Sequence, residues 1–477
     1  MALSRTRIPT FPLMAAALLS AGCATVDSNR TDGPGDAAIN AATPPIVFVH
    51  GNGDTAALWQ TTFWRFESNG WPRSRLHAIN LPYPLARTED AKAEPGRSST
   101  AEHRDYLKSE IDKVLRQTGA KQVVLVGNSR GGYAIRNHIQ TSMQSGTVNV
   151  SHAILGGTPN HGVWSRAGDR EGSEFSGTGP FLTGLNAPKN AAGDEVVGPV
   201  RWMTIRSADN DKFAQPDAGW PGTNGKPTGV GHAGPELKGA QNVVIPNIDH
   251  RETSYSAPAF EATYRFITGR APATTAIVPE STVTLGGMVT GLGVKSNDAK
   301  TGNFTNNLPL PGARLEVYAV QPGGADAGSR VGPAVHTQTI YNDGKWGPFQ
   351  AQPGVPYEFV VSAPGYATTH IYRSGFPRSS DIIMLRPERI AEADRGAKQI
   401  VVLTRPRGYL DVARDRMTLD GRAPGGLPPR GGMLSVSKLL LQEDAPRPVQ
   451  AEFNGERLVG RSWNAADGHV TLLEVTQ

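Results

Sequence analysis

A serine hydroxyl attacks an acyl carbon at neutral pH only when an imidazole takes its proton and a carboxylate holds that imidazole in one tautomer. Gly127-Asn128-Ser129-Arg130-Gly131 sets Ser129 in a G-x-S-x-G turn, the sequence form of a nucleophile raised on a strand-to-helix elbow. Where such an elbow ends a strand of a parallel sheet, an acid and then a histidine follow, each just beyond a strand. Two acids, Asp209 and Asp211, follow the apolar run Trp202-Met203-Thr204-Ile205, and His250 follows Val243-Val244-Ile245. The other histidines suit the base less well. His232 lies in a glycine-rich stretch with no strand before it, His161 has the wrong chain order, and His50 is placed to brace a loop. A tetrahedral oxyanion needs two backbone N–H donors. Arg130, directly after the serine, offers one, and Asn52 in His50-Gly51-Asn52-Gly53 offers the other, where glycines allow close approach.

These residues need a rigid support. Ile46-Val47-Phe48-Val49 and Val123-Val124-Leu125-Val126 are short apolar runs of the kind that form strands covered on both faces. Ala153-Ile154-Leu155 and the runs before the acids and before His250 continue the series. Leu107, Ile111, Val114 and Leu115 recur at helical spacing, with Ser99 and Glu102 as a capping box and Gly119 as the stop, and Tyr133 to Met143 reads as the helix leaving the elbow. Strands alternating with helices predict an α/β fold, a parallel sheet with helices on both faces, over residues 44–270. After the linker 270–279 the pattern becomes period-two strands with Asn-Asp-Gly and Pro-Gly turns, predicting an all-β region of one or two small β-sandwiches over 280–390 and 398–477.

The chain has 477 residues, 38% hydrophobic and 19% charged, with a net charge of +5. That suits a folded chain of two or three domains. No stripe of Arg and Lys interleaved with aromatics accompanies the charge, so nucleic acid is not an expected partner. Arg5 and Arg7 followed by Phe11 to Leu19 read as an export signal. It ends at the only cysteine, Cys23, in Leu19-Ser20-Ala21-Gly22-Cys23, which resembles a bacterial lipoprotein cleavage box. The expectation is an exported protein, periplasmic, outer-membrane or extracellular, attached to a membrane if Cys23 is lipidated. Residues 24–43 read as a flexible tether.

The pieces "VFVHGNG", "VVLVGNSRGG", "LGGTPNHG", "IRSADNDKFAQP" and "GAQNVVIPNIDH" together resemble the α/β-hydrolase lipases and carboxylesterases of bacteria. Within that resemblance Asp211 is favoured over Asp209, because Asp211-Lys212-Phe213-Ala214-Gln215-Pro216 is similar to the segment that follows the acid in several lipases. The resemblance implies ester hydrolysis through an acyl-enzyme with no metal or cofactor, and an ester or lipid substrate. Asn128 departs from it, since many lipases carry His or Tyr there. The stretch "NDGKWGPFQAQPGVPYEFVVSAPGY" resembles transthyretin-like β-modules. Several expectations stay open from sequence: the roughly forty residues between the Ile154 and Trp202 strands, with Phe175, Phe181 and Leu182, as a lid or a solvated excursion, Trp59 and Trp164 as acyl-pocket or core residues, and Asp209, Asp211 and Asp217 as holders of a structural cation. A polyester depolymerase, using Trp346, Tyr357 and Phe359 to grip polymer, and a non-catalytic binding protein are the alternatives.

Overall fold

In the computed structural model, β1 (Ile46–Val49), β2 (Leu76–Ala78), β3 (Val123–Asn128), β4 (Val150–Gly156), β5 (Arg201–Ser207) and β6 (Gln241–Ile245) form one parallel sheet in the order β2-β1-β3-β4-β5-β6. The structure describes residues 43–215, 227–231, 234, 236–294, 303–429 and 431–476. The export signal, the tether, Cys23, His232 and Asp217 lie outside the described residues.

Alternation along the strands divides the sheet's two faces. Ile46, Phe48, Val124 and Val126 pack with Phe63 and Phe66 of α1 (Gln60–Ser68) and with Phe260 on one side. Val47, Val49, Val123 and Leu125 pack on the other with Leu107, Ile111 and Val114 of α2 (Thr100–Thr118) and with Ala134, Ile135 and Ile139 of α3 (Arg130–Gln144). Both faces are dry, as the continuous apolar runs require. The helix α2 carries the expected capping box at Ser99 and Glu102 and ends at Gly119 in the left-handed conformation. Downstream lie the short α4 (Pro180–Leu185) and α5 (Glu252–Tyr255), followed by α6 (Ala257–Thr268).

The all-β region is built in three layers. The strands β7 (Val283–Val294), β8 (Asn303–Pro309), β11 (Lys345–Ala351) and β14 (Ser380–Leu385) make the first sheet. The second runs β10-β9-β12-β13-β20-β15-β17, with β9 (Arg314–Ala319), β10 (His336–Thr339), β12 (Tyr357–Ser362), β13 (Thr368–Arg373), β15 (Gln399–Thr404), β17 (Val436–Leu441) and β20 (His469–Glu474). The third holds β16 (Met417–Leu419), β18 (Pro448–Phe453) and β19 (Glu456–Arg461). Ile400 and Val402 point into the core shared with the first sheet, while Val401 and Leu403 point into the core shared with the third. The two β segments are thus not independent modules. They share the middle sheet, where β20 pairs in parallel with both β13 and β15.

This region also packs on the α/β part. Trp64 of α1 enters the β core and donates its indole N–H to Ser379 O at 2.8 Å. Trp346, Tyr357 and Phe359 are core residues at 2%, 2% and 0% exposure, so none stands on an open strand face to grip a polymer. Trp59 is likewise core, 5.1 Å from Phe48. No described helix is long and apolar enough to cross a membrane.

Candidate active site

Ser129 sits between β3 and α3 with φ 52° and ψ −122°, a conformation a non-glycine residue adopts only under constraint, at a cost of about 1–3 kcal/mol. The surroundings impose it. Ser129 N–H donates to Gly156 O at 2.8 Å, and its carbonyl accepts from Thr158 Oγ1 and Gly132 N at 3.0 Å each. The flanking glycines answer to space: a methyl on Gly127 would lie 2.7 Å from Ile135 Cδ1, and one on Gly131 would collide with the carbonyl oxygen of Val49 in β1. Gly131→Ala is therefore expected to push the start of α3 off β1, lowering kcat at least about 100-fold with a stability loss of about 1–3 kcal/mol. Steady-state kinetics and a denaturant melt check both.

His250 lies in the loop after β6 and presents Nδ1 to both carboxylate oxygens of Asp211 at 2.9 Å. Asp211 is fully buried and also accepts the backbone N–H groups of Phe213 and Ala214 at 2.9 and 2.8 Å, so four interactions fix its orientation. Asp209, the other candidate acid, is exposed and turned elsewhere, holding Asn247 N–H at 2.8 Å. Asn128 ties the Ser129 elbow to the His250 loop: its Nδ2 donates to His250 O at 3.1 Å and Ser254 Oγ at 2.7 Å. Its departure from the lipase pattern thus serves a brace between two loops.

Among the other histidines, His50 donates from Nδ1 to Gly51 O at 2.9 Å and accepts Leu81 N–H on Nε2 at 3.1 Å. That needs a neutral ring, and burial holds its pKa below the usual histidine value. His161 contacts Glu195 at 2.7 Å. Asn52, proposed as an oxyanion donor, accepts Ala86 N–H on its side-chain oxygen at 2.7 Å and lines the same cavity as Ser129.

Ser129 and His250 open onto one cavity of about 220 Å³ whose walls are Val163, Trp164, Phe175, Phe213 and Tyr409, with Asn52, Asp54 and Arg251 adding polar edges. Phe175 and Trp164 come from the excursion after β4. This excursion is pinned, because the fully buried Arg130 guanidinium meets the Glu174 carboxylate at 2.7 and 2.8 Å and Tyr133 OH donates to Pro159 O at 2.6 Å. Burial pushes the Glu174 pKa up, and the Arg130 charge opposes the shift.

Tyr409 was not legible from sequence. It belongs to the β region, and its ring stacks on Phe213 at 4.8 Å, which in turn lies 5.3 Å from the His250 ring. Nothing near Tyr409 in the chain marks it. Asp249 did carry a signal, since Asp249-His250-Arg251-Glu252 has capping-box spacing. Asp249 and Glu252 accept each other's backbone N–H at 2.9 and 2.7 Å. Among the described residues no group of acids, histidines or cysteines has the geometry to hold a metal ion.

Comparison with known proteins follows this division of the chain. Residues 46–277 match the alpha/beta hydrolase family, and residues 281–390 match the lipase C-terminal domain. No curated protein matches the sequence. Among solved structures, phospholipase PlaB from Legionella pneumophila is similar over 74% of this chain and 95% of its own, at 12% identity and a TM-score of 0.34. The carboxylesterase CesB from Bacillus subtilis is similar over 48% and 85%, at 14% identity and 0.25. A monoacylglycerol lipase from Paleococcus ferrophilus is similar over 47% and 94%, at 11% and 0.30.

Proposed function

We propose that this chain, an α/β-hydrolase domain followed by an all-β carboxy-terminal region, is a serine carboxylic-ester hydrolase, a lipase or carboxylesterase. The observation that carries the reading is that His250, hydrogen-bonded to buried Asp211, opens onto the same cavity as Ser129 on its constrained elbow. In the proposed reaction Ser129 Oγ attacks the ester carbonyl as His250 Nε2 takes its proton. The Nδ1–H bond to Asp211 fixes the tautomer and stabilises the imidazolium. The N–H groups of Asn52 and Arg130 bind the oxyanion, His250 protonates the departing alkoxide, and water activated by the same ring releases the acid.

The aromatic walls suit an apolar acyl group. Trp164→Ala is expected to open the cavity and raise kcat/KM for long-chain over short-chain p-nitrophenyl esters at least about tenfold relative to wild type. The amino-terminal sequence supports export, with Cys23 as a point of lipid attachment.

A fluorophosphonate probe followed by peptide mass spectrometry, run beside a p-nitrophenyl ester series, tests the proposal. The expected result is a single adduct on Ser129 and saturable ester cleavage. An unmodified Ser129 together with no cleavage at any chain length would sink it, in favour of a binding protein on a hydrolase scaffold.

A further inference from the structure

The residue just before the acid and the residue just before the base are both held by one short segment, 405–411, directly after β15. On the base side, Arg405 Nη1 donates to Asp249 Oδ2 at 2.9 Å, and Tyr409 N–H donates to the same oxygen at 2.9 Å. The other guanidinium nitrogen reaches Glu252 Oε1 at 2.6 Å and Tyr255 OH at 3.0 Å. Asp249 Oδ1 accepts the N–H groups of Arg251 and Glu252, so the carboxylate that Arg405 grips also sets the backbone on both sides of His250. On the acid side, Asn210 Nδ2 donates to Asp411 Oδ2 at 3.2 Å. Between the two, the Tyr409 ring stacks on Phe213 and lies 4.9 Å from the Arg251 guanidinium.

Arg405 is 2% exposed, and Asp249 is fully buried. Water cannot take the place of either partner, so removing Arg405 leaves buried Asp249 with backbone N–H donors and, for counter-charge, Arg414 at 3.8 Å. The contacts span 150 or more positions of sequence and converge on the two loops that carry Asp211 and His250.

Resting on the reading of Ser129, Asp211 and His250 given above, we propose that residues 405–411 are a positioning element of the active site. Arg405 acts through Asp249 on His250, and Asp411 acts through Asn210 on Asp211. The base and acid keep their register only with the carboxy-terminal β region docked. The segment lies beyond residue 390, where the match to the lipase C-terminal domain ends.

The test uses the full chain. Arg405→Ala is expected to lower kcat for a p-nitrophenyl ester about 100-fold, the cost of a displacement near 1 Å, with KM changed less than about threefold. Millimolar guanidinium chloride, filling the vacated site, should restore part of that kcat, whereas urea at the same concentration should not. Asp411→Ala, which leaves Arg405 in place, should lower kcat about tenfold, and it carries the test if Arg405→Ala does not fold. A folded Arg405→Ala protein with kcat within twofold of wild type overturns the proposal. So does a loss that guanidinium does not relieve, which would mark a brace of the fold alone, or an Asp411→Ala protein with unchanged kcat. A wild type inert to ester and to fluorophosphonate overturns the hydrolase reading itself, an outcome separate from an active wild type with an equally active variant.

Discussion

Ester hydrolysis is expected to fall on the order of 10⁶-fold in Ser129→Ala and about 10⁴-fold in Asp211→Asn, the scale on which a nucleophile and a tautomer-fixing carboxylate matter. The two losses differ in kind. Alanine at Ser129 removes the attacking atom and also the site of fluorophosphonate capture. Asparagine at Asp211 keeps the shape but sets an amide against His250 Nδ1, where both carboxylate oxygens now stand at 2.9 Å. The ring then favours the tautomer with its proton on Nε2, which cannot accept from Ser129. Asp209→Asn provides the control. That carboxylate accepts Asn247 N–H, whereas the His250 ring is held by Asp211, so kcat should stay within about threefold. Steady-state kinetics on purified variants of matched melting temperature decides the matter. An Asp209→Asn loss as large as that of Asp211→Asn would reverse the assignment of the acid.

The second large effect concerns stability. Glu174→Ala is expected to destabilise the protein by about 3–5 kcal/mol, because it leaves the Arg130 guanidinium buried without its counter-charge. Arg130 would keep Pro84 O, Ser98 Oγ and Ser98 O at 3.1, 2.9 and 2.6 Å, but its Nε hydrogen and one Nη2 hydrogen would lose Glu174, and its charge would stand unpaired. Glu174→Gln should cost less, since an amide oxygen can still accept one of the two bonds. Denaturant melts of the three proteins give the ranking. A Glu174→Ala protein as stable as wild type would mean that the excursion after β4 is held by its apolar contacts alone. Activity should follow stability here, because the backbone of Arg130 is a proposed oxyanion donor and Phe175, next to Glu174, is a cavity wall.

The sequence disclosed those parts of the molecule whose cause is local. Val123 to Val126 reads as a strand because both of its faces are buried, and α2 reads to its last residue because Ser99, Glu102 and Gly119 are the residues a helix needs at its ends. Chain order and strand ends pointed to Ser129, to the pair Asp209 and Asp211, and to His250 for the same reason, and the resemblance to lipases favoured Asp211 of the two. Tyr409, Arg405 and Glu174 escaped notice because their partners lie from 44 to 196 residues away and no spacing encodes the pairing. Trp59, Trp346, Tyr357 and Phe359 were ambiguous by type alone, since an indole or a phenyl ring serves a core as well as a ligand. The middle β sheet escaped for a different reason. Its order follows from β20 sliding between β13 and β15, a parallel insertion that no hairpin signal announces.

That last insertion also sets a schedule. Residues 469–474 lie more than 60 positions beyond β15, yet they form the strand against which β15 is laid, and Arg405 is the first residue after β15. Until β20 is in place, the sheet that presents Arg405 to Asp249 has a gap between β13 and β15. The parallel pairings that fill the gap are distant in sequence and correspondingly slow to form. A chain that has completed the α/β sheet but not yet laid β20 between β13 and β15 therefore still lacks the proposed grip of Arg405 on Asp249.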